Sequence, residues 1–178
     1  MITYIVIVLV LVVAGVLVYA ALQPDDFRLQ RSTTVNAPPE RIYPHLMDFR
    51  KWDAWSPWEK KDPAMKRTFS GEASGVGAAY AWEGDKNVGT GKMTILEATA
   101  PRKVVIKLEF LKPFAATNTA EFTMQPDHGS TTVTWAMYGK SNFLSKVMCT
   151  FMSMDKMVGP DFEAGLASLK AVAEKPAA

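Results

Sequence analysis

Between Met65 and Lys140 the chain runs through short segments in which apolar and polar residues alternate, each closed by turn-forming residues. A period of two predicts strands at Met65–Ser70, Ala78–Glu83, Val88–Ala98, Lys103–Phe110, Thr117–Gln125 and Thr131–Gly139. Turn chemistry separates them at Gly71 to Gly77, Gly84-Asp85-Lys86-Asn87, Ala100-Pro101-Arg102 and Pro126-Asp127-His128-Gly129. Val104, Ile106, Leu108 and Phe110 share one face of their strand, and Val133, Trp135 and Met137 share one face of another. One-sided strands make an antiparallel sheet that something must cover.

The cover is predicted at the C-terminus, from Asn142 to Glu174. Phe143, Val147, Phe151, Met154 and Val158 form one helical stripe, and Phe162, Leu166, Leu169 and Val172 form the next. Gly159-Pro160 is expected to bend or interrupt this helix. Upstream, Phe27 to Asn36 alternates as a strand with a mostly polar second face. In "APPERIYPHLMDF", Pro39 and Glu40 suit a first helical turn and Ile42, Leu46 and Phe49 recur at helical spacing, with Pro44 kinking or limiting the helix.

Ahead of all this, Ile2 to Leu22 contains no charged residue. A helix of that length, at about 1.5 Å per residue, covers roughly the 30 Å of a bilayer core. The reading is a single-pass membrane anchor over residues 1–24, followed by one globular domain over 25–178. Cleavage after Val18-Tyr19-Ala20, as a signal peptide, is the rival reading. No Lys or Arg precedes the run, and it exceeds the usual h-region. Neither flank carries an excess of basic residues, so the side of the membrane is not legible.

The remaining composition bears on partners. Twenty basic and 18 acidic residues are interspersed, for a formal charge of +2. This provides no broad field for a polyanion, and nucleic acid is not an expected partner. Cys149 is the single cysteine, which leaves no internal disulfide and no cysteine-based zinc cluster. No metal or other cofactor is expected. Of the two histidines, His128 falls in a turn, while His45 has Asp48 three residues on, a spacing at which a carboxylate can orient an imidazole base. A helix-surface pair is the plainer reading, and no catalytic residue is assigned. Glu83 and Asp155 are the candidates for polar groups at a cavity.

Taken in order, the chain is strand, short helices, about six antiparallel strands and a long C-terminal helix. It resembles the START-like, SRPBCC superfamily, in particular membrane-anchored bacterial members of the polyketide cyclase/dehydrase and lipid-transport type. The resemblance covers roughly Phe27 to Glu174. It is carried by "VNAPPERIYPHLMDFRKWDAWSPWEKKDP", "FSGEASGVGAAYAWEGDKNVGTGKMTI", "TAEFTM" and "MSMDKMVGPDFEAGLASLK". Pro44 departs from it, since the family more often has a helix-compatible residue there. The resemblance implies an α+β helix-grip fold, with a curved sheet wrapped around the C-terminal helix and an apolar cavity between them.

Trp52, Trp55 and Trp58, three of the five tryptophans, are then expected to pack as a lid at one end of that sheet. Tyr80 and Trp82 on one strand, Ile106 and Leu108 on another, and Trp135 and Met137 on the last are expected to face a helical stripe containing Met148, Phe151 and Met152. Such a pocket suits a lipid or another apolar small molecule. The alternatives are a cyclase or dehydratase using an acid or base in the cavity, and a tethered scaffold whose cavity is filled by its own side chains.

Overall fold

The computed structural model describes residues 1–141, 143–151 and 153–176. Helix α1 (Ile2–Leu22) leads into strand β1 (Asp26–Val35), helix α2 (Pro39–Met47), a 3-10 turn (Phe49–Ala54) and the short helix α3 (Pro57–Lys61). Six strands follow: β2 (Lys66–Gly71), β3 (Ala78–Glu83), β4 (Thr90–Thr99), β5 (Lys103–Lys112), β6 (Ala116–Asp127) and β7 (Ser130–Lys140). Helices α4 (Phe143–Phe151) and α5 (Met154–Ala173) complete the chain.

All seven strands form one antiparallel sheet in the order β1-β7-β6-β5-β4-β3-β2. Six of them are joined as consecutive hairpins, and the first closes the far edge by pairing with the last. Helix α5 lies along β1 and buries Phe162, Leu166 and Leu169 against the inner face of the sheet. The architecture is α+β and of the helix-grip type, as the family resemblance implies.

The C-terminal region differs from expectation in one respect that matters for the site. Its interruption falls at Ser153, ahead of α5, while Gly159 and Pro160 lie inside α5. Ser153 accepts a hydrogen bond from the Lys156 amide and caps the new helix. Gly159 leaves room for a side chain from the sheet: a Cβ there would stand 2.4 Å from the end of the Arg31 side chain, which would have to shift from its pairing with Asp155 at 2.8 Å and Glu163 at 2.7 Å. Gly165 serves the same close approach one and a half turns on, where a Cβ would stand 2.8 Å from the Trp135 ring.

The inner face of the sheet has two unlike halves. Toward the β4–β5 and β6–β7 turns, Ile95, Val104, Ile106, Phe122, Met124 and Val133 are fully buried, together with Ile42 and Leu46 from α2. Toward the β3–β4 and β5–β6 turns, the same inward phase continues through Met93, Leu108, Ala120 and Met137, but no helix fills the space above them.

Candidate functional site

That unfilled half is an apolar cavity of about 320 Å³. Along β5, the inward positions pass from core (Val104, Ile106) to cavity wall (Leu108, Phe110), and along β6 they pass from Phe122 to Ala120 and Asn118. Met154, Val158 and Phe162 of α5 form the opposite wall. Its exposed lining residues, Asn87, Phe114 and Lys140, mark the mouth at the β3–β4 turn, the β5–β6 turn and the end of β7.

The tryptophan segment lies at the closed end. Helix α2 leaves the carbonyls of its last turn without intrahelical partners, and the indoles take two of them: Trp52 Nε1 donates to the Leu46 carbonyl at 3.3 Å and Trp55 Nε1 to the His45 carbonyl at 3.1 Å. The rings then pack edge-on against Phe122 and Trp135. Trp135 in turn stacks on Phe162 with ring centres 4.1 Å apart and planes 9° from parallel. Trp52 and Trp58 reach the cavity wall, whereas Trp55 is wholly buried behind them.

Of the expected wall residues, Tyr80, Trp82, Leu108, Trp135 and Met137 lie together around the cavity. Ile106 faces the same way but belongs to the filled half of the core. Met148 and Phe151 are placed differently from expectation. With Ser153 outside both helices, α4 packs against α1, and both side chains are exposed. Met152 lies outside the described residues.

The polar groups also differ from expectation. Glu83 pairs with Lys66 and Asp155 with Arg31, both at the surface, so neither lines the cavity. The cavity carboxylate is Glu59, on α3. It accepts a 2.6 Å hydrogen bond from the Tyr80 hydroxyl and a 2.7 Å charge-assisted bond from Arg67 Nε. Burial, and then the Glu59 charge beside it, raise the Tyr80 phenol well above its ordinary range and keep it a donor. Sequence reasoning missed Glu59 because its burial depends on a partner eight residues on in another element. Asn118 was legible in principle, being in phase with Ala120 and Phe122 along β6. Its Oδ1 is buried against Gly139 without a hydrogen-bond partner among the described residues.

His45 lies away from the cavity lining on α2. Its Nδ1 is buried without a hydrogen-bond partner among the described residues, and Asp48 instead accepts from the Arg50 amide. The pair is therefore not arranged as an oriented base. His128 is fully exposed in its turn. Among the described residues no group of three His, Cys, Asp or Glu side chains is placed to hold a metal ion.

A curved antiparallel sheet gripping a C-terminal helix, with a one-ended apolar cavity between them, defines a helix-grip protein of the SRPBCC class. The chain belongs to the polyketide cyclase/dehydrase and lipid transport family, whose model matches residues 26–174. Solved structures with the same fold include a protein of Chromobacterium violaceum, 17% identical, spanning 86% of this chain and all of that one with a TM-score of 0.57. A Staphylococcus aureus protein of unknown function is 12% identical over 84% of this chain and 94% of its own, with a TM-score of 0.62. The di-domain ARO/CYC BexL of the BE-7585A biosynthetic pathway is 12% identical over 89% of this chain and 53% of its own, with a TM-score of 0.61. At these identities the likeness is one of fold. No curated protein sequence matches the chain.

Proposed function

We propose that this protein is a membrane-anchored binding protein that holds a lipid or another apolar small molecule in the cavity between sheet and α5. The observation that carries this reading is the character of the cavity. Its volume of about 320 Å³ falls in the range of small-molecule sites. Its walls are mostly aromatic, aliphatic and thioether side chains, and its one buried carboxylate is already held by Tyr80 and Arg67. Helix α1 supports the second half of the proposal. It is long and apolar enough to cross a membrane and is almost wholly uncovered by the rest of the chain. An anchor of this kind keeps the cavity where apolar ligands partition.

The test is binding of an apolar fluorescent probe. Trp82→Ala removes a cavity wall and should change probe affinity at least several-fold, while His45→Ala should leave it nearly unchanged. Equal and negligible effects in folded proteins would leave a scaffold with no ligand.

A cyclase-like reading is favoured by one observation, the Tyr80–Glu59 contact inside the cavity, which supplies a hydrogen-bonded acid and carboxylate to a bound ligand. It predicts that Glu59→Gln abolishes turnover of a polyketide-like substrate while leaving probe binding intact. Arg67 counts against it, because a carboxylate that accepts a charge-assisted bond is a weaker base.

A further inference from the structure

The entry of the anchor into the fold and the mouth of the cavity fall at the same end of the molecule. Strand β1 begins there: Asp26 pairs with Lys140 and Phe27 with Gly139, and Phe27 itself lines the cavity. The last turns of α1 are packed rather than free. Ala20 is buried, Val16 and Gln23 are half-buried, and these positions at i, i+4 and i+7 share the face that meets α4. The α4 sequence "FLSKVMCTF" carries a single charge, Lys146. The Lys146 side chain is only 8% exposed, and its ammonium donates to the Gln23 carbonyl at 2.9 Å and pairs with Asp25. The junction between anchor and domain thus consumes the one charge on α4.

What remains on the outer side of α4 is apolar and uncovered. Phe143, Leu144, Met148 and Phe151 are between 44% and 75% exposed. Across the mouth, Leu111 at the end of β5 and Phe114 in the β5–β6 turn are exposed in the same way, and Phe114 is also part of the cavity lining. An apolar helix surface this exposed calls for a partner. Continuity with α1 says which partner: a surface packed beside the last turns of a membrane-spanning helix lies at the depth where acyl chains meet headgroups.

We infer that α4 and the β5–β6 turn form an apolar rim seated in the bilayer interface, so that the cavity opens onto the membrane and its ligand passes between bilayer and cavity without crossing water. This rests on the anchor and cavity readings above. The ligand class it selects is one that already resides in the bilayer, and the β6–β7 turn becomes the pole farthest from the membrane. Strand β6 separates the two poles, with 12 residues that span roughly 40 Å at about 3.3 Å each.

The experiment uses the full chain in phosphatidylcholine vesicles. With Cys149→Ser removing the native thiol, Phe151→Cys places an environment-sensitive nitrobenzoxadiazole label on α4 and His128→Cys places it on the far turn. The label at 151 should emit at shorter wavelength and be quenched several-fold more strongly by lipids spin-labelled high on the acyl chain. Carbonate washing separates the possible failures. If the protein is stripped from the vesicles, the anchor reading falls and the rim with it. If it is retained and the two labels respond alike, the anchor stands and the rim is overturned. A second variant, Phe143→Asp with Phe151→Asp, should leave probe affinity of the detergent-solubilised protein unchanged and slow probe transfer from vesicles into the cavity several-fold. Unaltered transfer would also overturn the rim.

Discussion

Trp55 and Trp58 stand three residues apart and have different surroundings. Trp55 is completely buried between Trp52, Phe122 and Trp135, while Trp58 is half-buried and touches the cavity. Truncating a fully buried tryptophan typically removes about 3–5 kcal/mol. Trp55→Ala should therefore lower the urea midpoint sharply, while Trp58→Ala should cost less and alter probe affinity more. Equal stability losses would mean that Trp58 is part of the core. The helix-grip arrangement implied by the resemblance predicted that these rings pack at one end of the sheet, but the spacing contained no sign of which would face a void. His45 permits a prediction about pH. Burial, aided by the Lys51 charge, holds its imidazole below the ordinary value of 6.5. The unfolded chain then binds the proton more readily than the folded one. This contribution is fully present above 6.5 and is lost as pH falls from 6.5 through the lower folded value. His45→Gln should flatten the fall in melting temperature between about pH 7 and 5. A slope identical to the parent's would show that His45 does not drive it.

At the scale of elements, the strands were the legible part. Every alternating segment between Met65 and Lys140 is a strand, because a half-buried sheet imposes its period of two directly on the sequence. The break in the C-terminal region was not legible. Gly159-Pro160 has the composition of an interruption, yet both lie inside α5, and Gly159 packs beside the end of Arg31 on β1, a neighbour 128 positions away in the numbering that only the folded pairing reveals. The described interruption is at Ser153, and α4 packs against α1, which leaves Met148 and Phe151 exposed. The pairing of α4 with α1 carries its own prediction. A chain shortened to residues 25–178 should express in soluble form and unfold cooperatively, since sheet and α5 bury one another without α1. Helix α4 should nevertheless lose protection, because Val16, Ala20 and the Gln23 carbonyl that receives Lys146 are gone. Hydrogen exchange resolved by peptide would show faster exchange over 143–151 with α5 unchanged. Uniform exchange across both helices would mean that α1 does not order α4, and aggregation of the shortened chain would move the domain boundary.

Across the whole molecule, the same inward phase of the sheet serves as core at one end and as cavity wall at the other. Nothing in a list of apolar residues distinguishes the two, because the difference lies in which helices lie above them: α2 and the tryptophan turn cover one end, and α4 leaves the other. Ala120 sits at this boundary, with Phe122 on its filled side and Asn118 on its open side, and its small side chain helps keep the void open. Ala120→Phe should place a ring in the cavity without disturbing the backbone. If the void exists to hold a ligand, the variant should melt at or above the parent's temperature, since added apolar contacts replace empty space, and should lose probe binding. In the parent, a probe at 100 times its Kd adds about 2.7 kcal/mol. For a chain of this size that corresponds to a melting shift of roughly 5–10 °C. The variant should show almost none. A variant that melts well below the parent would indicate that the walls already meet in solution. A variant that keeps the full probe-induced shift would place the ligand elsewhere on the molecule.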